Sequence, residues 1–160
     1  MRAGTSVAAL ERDLLALLQR HETLLRAQGS DLELRSDLGK HVCVRITGFV
    51  EQSVLTMARL HCDVSGSATA KRFALSWLER SGNPKRNRLI EFATRFDHTW
   101  GEELRALFDG KDPNNVWDGF VQTRNDIAHG SNTGISKTSL DTYWGLAIEV
   151  VHWFGHRFAP

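Results

Sequence analysis

Residues that staple or interrupt a fold are scarce in this chain of 160 residues, which has two cysteines, Cys43 and Cys62, and three prolines, Pro84, Pro113 and Pro160. The cysteines form no CxxC pair and have no metal-ligand spacing. Both fall on what reads as one helix, where a rise of about 1.5 Å per residue sets them roughly 28 Å apart. No disulfide spans that distance. Two reduced cysteines fit a cytoplasmic protein. With so few prolines, long uninterrupted helices are open to the chain. No run approaches the ~20 apolar residues of a membrane span. Glu11, Arg12 and Asp13 interrupt the apolar stretch near the start, which gives no signal-peptide pattern. The expectation is a protein without a membrane partner. The formal net charge is +1 with histidines neutral. A global positive field is therefore excluded, and any polyanion site must be a local cluster. There is no GxSxG, no GxxxxGK[ST] and no GxGxxG, so serine-nucleophile, P-loop and dinucleotide readings find no support. His152 and His156 stand four apart on one helix, yet no glutamate completes an HExxH and no third ligand is obvious. His41, His61 and His98 have no spacing that suggests a site. No cofactor and no metal are expected.

What is present is enough apolar residue for a core, 41% against 24% charged. That balance and the length fit one domain. Apolar spacing predicts six helical segments. The first covers residues 6–28, with Val7, Leu10, Leu14, Leu17, Leu24 and Leu25 as its stripe, and Gly29-Ser30-Asp31 breaks it. The second covers 37–63 and is apolar on both sides, which makes it central. The third covers 67–80, with Phe73, Trp77 and Leu78. Asn83-Pro84 is a start signal for the fourth, which runs to Phe108 with Leu89, Phe92, Phe96, Trp100, Leu104 and Leu107 buried. Asp109 to Pro113 is a turn. The fifth covers 114–129 and stops at Gly130. The last covers 136–158. The expected architecture is all-α, an antiparallel up-and-down helical bundle. It divides into an N-terminal helical extension (1–36) and a core (37–158).

The fifth segment carries an anomaly. At about 100° per residue, Val116, Trp117, Phe120, Val121, Ile127 and Ala128 make one apolar stripe, and Arg124 projects near its middle. A guanidinium there stays charged, and an unpaired buried charge costs several kcal/mol, of order three to five. It calls for a carboxylate, a phosphate or an interface cleft. A structural salt bridge or a snorkelling side chain would also satisfy it. Asn125 and His129 lie one turn apart on a different face. An imidazole titrates near neutral pH and suits proton transfer, though a histidine at a helix end also serves as a plain cap. Glu51 lies on the second helix among Val44, Leu55 and Ala58 and wants a partner. Arg124 or His129 would serve, as would another cation. Lys85, Arg86 and Arg88, with Arg80 and Lys71-Arg72 before them, form the densest positive stretch. At a helix N-terminus they oppose the macrodipole, which leaves RNA phosphate contact or a solvated cluster as their use.

The run Arg124-Asn125-Asp126-Ile127-Ala128-His129-Gly130 resembles the signature of the HEPN superfamily, and "RNDIAHG" is most similar to its RiboL-PSP-HEPN branch. "ITGFVEQSV" (Ile46 to Val54), "NPKRNRLIEF" (Asn83 to Phe92) and "FDHTW" (Phe96 to Trp100) also look like segments of that branch. The resemblance covers roughly residues 37–154. It implies a HEPN-like bundle that forms homodimers, and metal-independent RNA cleavage by attack of the ribose 2′-hydroxyl on the adjacent phosphate. Carried onto these residues, His129 would be general base or acid and Arg124 would hold the scissile phosphate. Asn125 would orient either one. The family's company further implies a toxin–antitoxin or anti-phage defence role with an antitoxin or nucleotidyltransferase partner. Some members are non-catalytic RNA-binding or dimerisation modules.

Overall fold

The structure is a computed structural model that describes residues 6–65, 68, 69, 72, 76 and 83–159. The described residues form an all-α bundle of six helices and no strand: α1 Val7–Arg26, α2 Leu32–Ser65, α3 Arg86–Phe96, α4 His98–Lys111, α5 Val116–Ala128 and α6 Lys137–Phe158. None of them is long and apolar enough to cross a membrane.

Two differences from the predicted six change which elements there are. The third predicted segment, 67–80, lies largely outside the described residues, as do Lys71 and Arg80. The fourth splits at Asp97, whose backbone is extended (φ −155°, ψ 135°) and whose carboxylate accepts from Thr99 N at 2.8 Å. Asp97 thus ends α3 and caps α4, which satisfies an orphan N–H at the new start. Asn83 caps nothing; Lys85 precedes α3 and makes no side-chain cap.

The boundaries of the others follow local chemistry. Ser6 caps α1 by accepting from Ala9 N at 3.2 Å. The Asp31 carboxylate accepts from Glu33 N at 2.8 Å, and its carbonyl from Arg35 N at 3.1 Å, so α2 starts at Leu32 and not at Asp37. Leu32 and Leu34 are exposed there, outside any apolar stripe. Ser136 caps α6 through Ser139 N at 3.1 Å.

Contacts give the directions. His21 lies against Gly39, and Val7 and Met57 line one cavity, so α1 runs antiparallel to α2. Arg86 pairs with Asp109, and Gly101 packs on Thr94, so α3 and α4 form an antiparallel hairpin. Phe49 lies on Trp144 and His61 on Phe158, so α2 and α6 run in the same sense. The predicted two-sided apolarity of α2 is explained by its neighbours: α1, α5 and α6 all pack on it. Leu14 and Leu17 of α1 share one core with Val42, Ile46, Phe92, Phe108, Trp117 and Phe154. The helix of residues 7–26 thus packs into the same core as the rest of the bundle. Burying each such side chain contributes about 1.5–3 kcal/mol. Both cysteines lie on α2, buried and unpaired with each other.

Candidate functional site

The start of α5 is held from four directions. The buried Asp112 carboxylate accepts from Val116 N at 2.7 Å and Trp117 N at 2.9 Å. These are two of the orphan N–H groups of a helix start. Asn115, which precedes the helix, lies in the left-handed region (φ 52°) and makes no cap with its own side chain. Trp117 is fully buried and donates its Nε1–H to Pro84 O at 2.6 Å. Asp118 accepts from Arg86 N at 2.8 Å. Trp117, Phe120 and Val121 form the buried face, and Phe120 lies on Tyr143 with ring centroids 3.6 Å apart.

Arg124 continues that face one turn later, half-buried against α2. Its guanidinium donates to Asn125 Oδ1 at 3.2 Å. Its buried Nε–H has no hydrogen-bond partner, and among the described residues it forms no ion pair. Glu51 of α2 lies within its field, and burial pushes the Glu51 carboxyl up while Arg124 pulls it down. The two do not close into a salt bridge, and Glu51 Oε1 is itself buried without a partner. The expected Glu51–Arg124 pairing is therefore an interaction across a gap. Cys43 lies two turns earlier on α2. Burial, opposed by Arg124, pushes its thiol up to about 12. It is protonated at neutral pH and is no nucleophile.

Arg124 opens onto a cavity of about 280 Å³ lined by Leu10 and Leu14 of α1 and by Val44, Arg45, Gly48, Phe49 and Gln52 of α2. Its walls are mostly aliphatic. Two guanidinium groups and one amide supply the polarity, so the cavity suits an anion with an apolar neighbour.

His129 ends α5. Ser131 N donates to Asp126 O at 2.9 Å and Gly130 N to Ile127 O at 3.0 Å. This is the paired closure of a Schellman turn, and it requires the positive φ of 83° that Gly130 supplies. The His129 side chain is exposed, and its ring makes no hydrogen bond with a described residue. Five positions at about 100° each put it roughly 140° round the helix from Arg124. Asn125 bridges the two faces. It bonds Arg124 and lies one turn below His129.

The positive stretch before and into α3 is partly tied off. Arg86 pairs with Asp109 and lies over the Phe108 ring, and Arg88 lies 3.8 Å from Glu91. Lys85 is half-buried at the helix start. None of the three lines the Arg124 cavity. Arg45 and Gln52, which do, were missed. The only sequence signal for them was their place on the polar flank of α2, each one turn from Gly48 and Phe49. Comparison of the chain with family models, curated proteins and solved structures gives no match.

Proposed function

We propose that this chain is a metal-independent endoribonuclease that works as a homodimer, with Arg124 gripping the scissile phosphate and His129 moving protons. The observation that carries the reading is a half-buried guanidinium with a partnerless Nε–H, facing a cavity and tied to no carboxylate. An anion supplied from outside satisfies it, and a phosphate matches the planar fork of its donors. The likeness of the RNDIAHG run to HEPN sequences supplies the chemistry. The 2′-oxygen attacks phosphorus and gives its proton to one imidazole. A 2′,3′-cyclic phosphate forms, the P–O5′ bond breaks, and the leaving 5′-oxygen takes a proton from a second imidazole. A second copy supplies that imidazole when two α5 ends meet about a two-fold axis. Exposure of His129 at a rigid helix end leaves it free for such a meeting. A role in toxin–antitoxin or defence systems, with an antitoxin or nucleotidyltransferase as partner, belongs to the same proposal.

One observation favours a second reading. Arg124 and His129 point to different faces within a single copy, which suits a non-catalytic RNA-binding or dimerisation module. Incubating purified protein with single-stranded RNA and chelator separates the two. The nuclease reading expects cyclic-phosphate ends, and a loss of at least about a hundredfold in rate for Arg124→Ala and for His129→Ala, with unchanged melting for His129→Ala. Undiminished cutting by both variants removes the mechanism, and a wild type that binds RNA and never cuts it selects the binding module.

A further inference from the structure

A second cavity, also of about 280 Å³, lies between α1 and α2 and is lined by Asp13, Ala16, Leu17, Arg20, His41 and Arg45. Arg45 lines both cavities, so the two adjoin along one valley. From His41 to Gln52 the valley follows α2 for about 16 Å at 1.5 Å per residue. Arg20 and Arg45 are exposed, and neither forms an ion pair with a described residue. Arg20 donates Nε–H to Ala16 O at 3.3 Å, which lays its stem along α1. Two cations face one carboxylate, Asp13, so the valley carries net positive charge on a chain that is almost neutral overall. Leu14 and Leu17 form its buried apolar floor. The positive stretch at the start of α3, by contrast, spends Arg86 and Arg88 on Asp109 and Glu91.

We propose that the α1–α2 valley is the groove through which single-stranded RNA reaches Arg124, with Arg20 and Arg45 holding backbone phosphates beside the cleavage point. This rests on the reading of Arg124 as a phosphate-gripping residue. Exposed guanidinium groups along a groove track a phosphodiester backbone without reading its sequence. The first helix then acts as one wall of the substrate path.

The test is fluorescence anisotropy with a labelled single-stranded RNA whose 2′-hydroxyls are methylated, so that it cannot be cut. Salt is stepped through the titration. Arg20→Ala/Arg45→Ala is compared with Arg105→Ala/Lys111→Ala, which removes the same charge from α4. The groove variant is expected to bind about tenfold more weakly, with a salt slope shallower by about 1.4, the effect of two lost single-strand phosphate contacts. The α4 variant should keep wild-type affinity. Equal weakening by both variants, an unchanged groove variant, or a wild type that binds no RNA each overturns the groove. Cleavage of unmethylated RNA is followed separately. A wild type that binds through Arg20 and Arg45 and never cuts supports the groove and removes the nuclease reading. A wild type that cuts while the groove variant binds and cuts normally does the reverse.

Discussion

Replacing Glu51 by glutamine separates two roles for this acid in the field of Arg124. If it is an ion-pair partner, its loss should destabilise the fold. If its burial dominates, its loss should stabilise it. Burial is the larger influence on Glu51 and Arg124 the smaller, with the net result that its carboxyl is pushed up. The buried Oε1 also lacks a partner. Leaving a buried polar atom unpaired costs about 1–3 kcal/mol. Glutamine keeps that oxygen and sheds only the buried charge, for which the penalty is larger than for a neutral group. The side chain is half-buried, so Glu51→Gln should gain on the order of 1 kcal/mol where the wild-type group is charged. For a chain of this size that is about 2–4 °C in Tm. The sign with pH follows from linkage. A carboxyl raised in the folded state contributes stability that is complete below its unfolded value, 4.5, and is lost as pH rises through the folded value. The gain from Glu51→Gln should therefore be full at pH 8 and shrink towards pH 5. Differential scanning calorimetry of both proteins at pH 5, 6, 7 and 8 reads this directly. A variant that melts lower than wild type at pH 8 would refute the reasoning, because it would show that attraction to Arg124 outweighs burial.

Two further changes test how the scaffold positions α5 and the hairpin beside it. A Cβ at Gly101 would lie 1.9 Å from Thr94 Oγ1 and 3.0 Å from Thr94 Cβ, so Gly101→Ala should cost about 1–3 kcal/mol by overpacking; thermal melts should show part of that cost recovered in Gly101→Ala/Thr94→Ala. Asp112→Ala removes the acceptor of both Val116 N and Trp117 N and should cost about 1–2 kcal/mol in denaturant titrations, with faster amide exchange confined first to the early turns of α5.

Most of the fold was legible because buried spacing survives where helix boundaries do not. The stripe through Phe92, Phe96, Trp100 and Leu104 continues across the break at Asp97, because α3 and α4 both turn apolar residues to the core. A run without proline or a helix-ending glycine at that point hides the break. The cue that existed, an aspartate two residues before a threonine whose N–H it accepts, is a capping signal, and it competes poorly with an unbroken stripe. The early start of α2 was hidden for the opposite reason. Leu32 and Leu34 are exposed, so the first turn of α2 belongs to no apolar face, and Asp31 alone marks it. Gly29-Ser30-Asp31 both ends one helix and begins the next.

The site was legible in its arginine and not in its surroundings. Arg124 breaks an apolar stripe, and a periodic pattern reports such a break directly. Glu51 also breaks one, and both turn out to hold buried atoms without partners. The residues that line the cavity break nothing. Arg45 and Gln52 are ordinary on the polar flank of α2, and Arg20 is ordinary on α1. Only the packing of α1 against α2 brings Arg20 and Arg45 to one valley, 25 positions apart in the chain. The same limit applies to the cations of the α3 start. A dense run such as Lys85-Arg86-Asn87-Arg88 reads as a binding patch because its charges are close in sequence, but what a guanidinium can offer a phosphate depends on what already holds it. Arg86 has Asp109 beside it across the α3–α4 hairpin, a partner 23 positions away that no local pattern reveals. A cation free of carboxylates is a property of tertiary packing. Arg20, Arg45 and Arg124 owe their shared place to that packing, and charge density along the chain does not single them out.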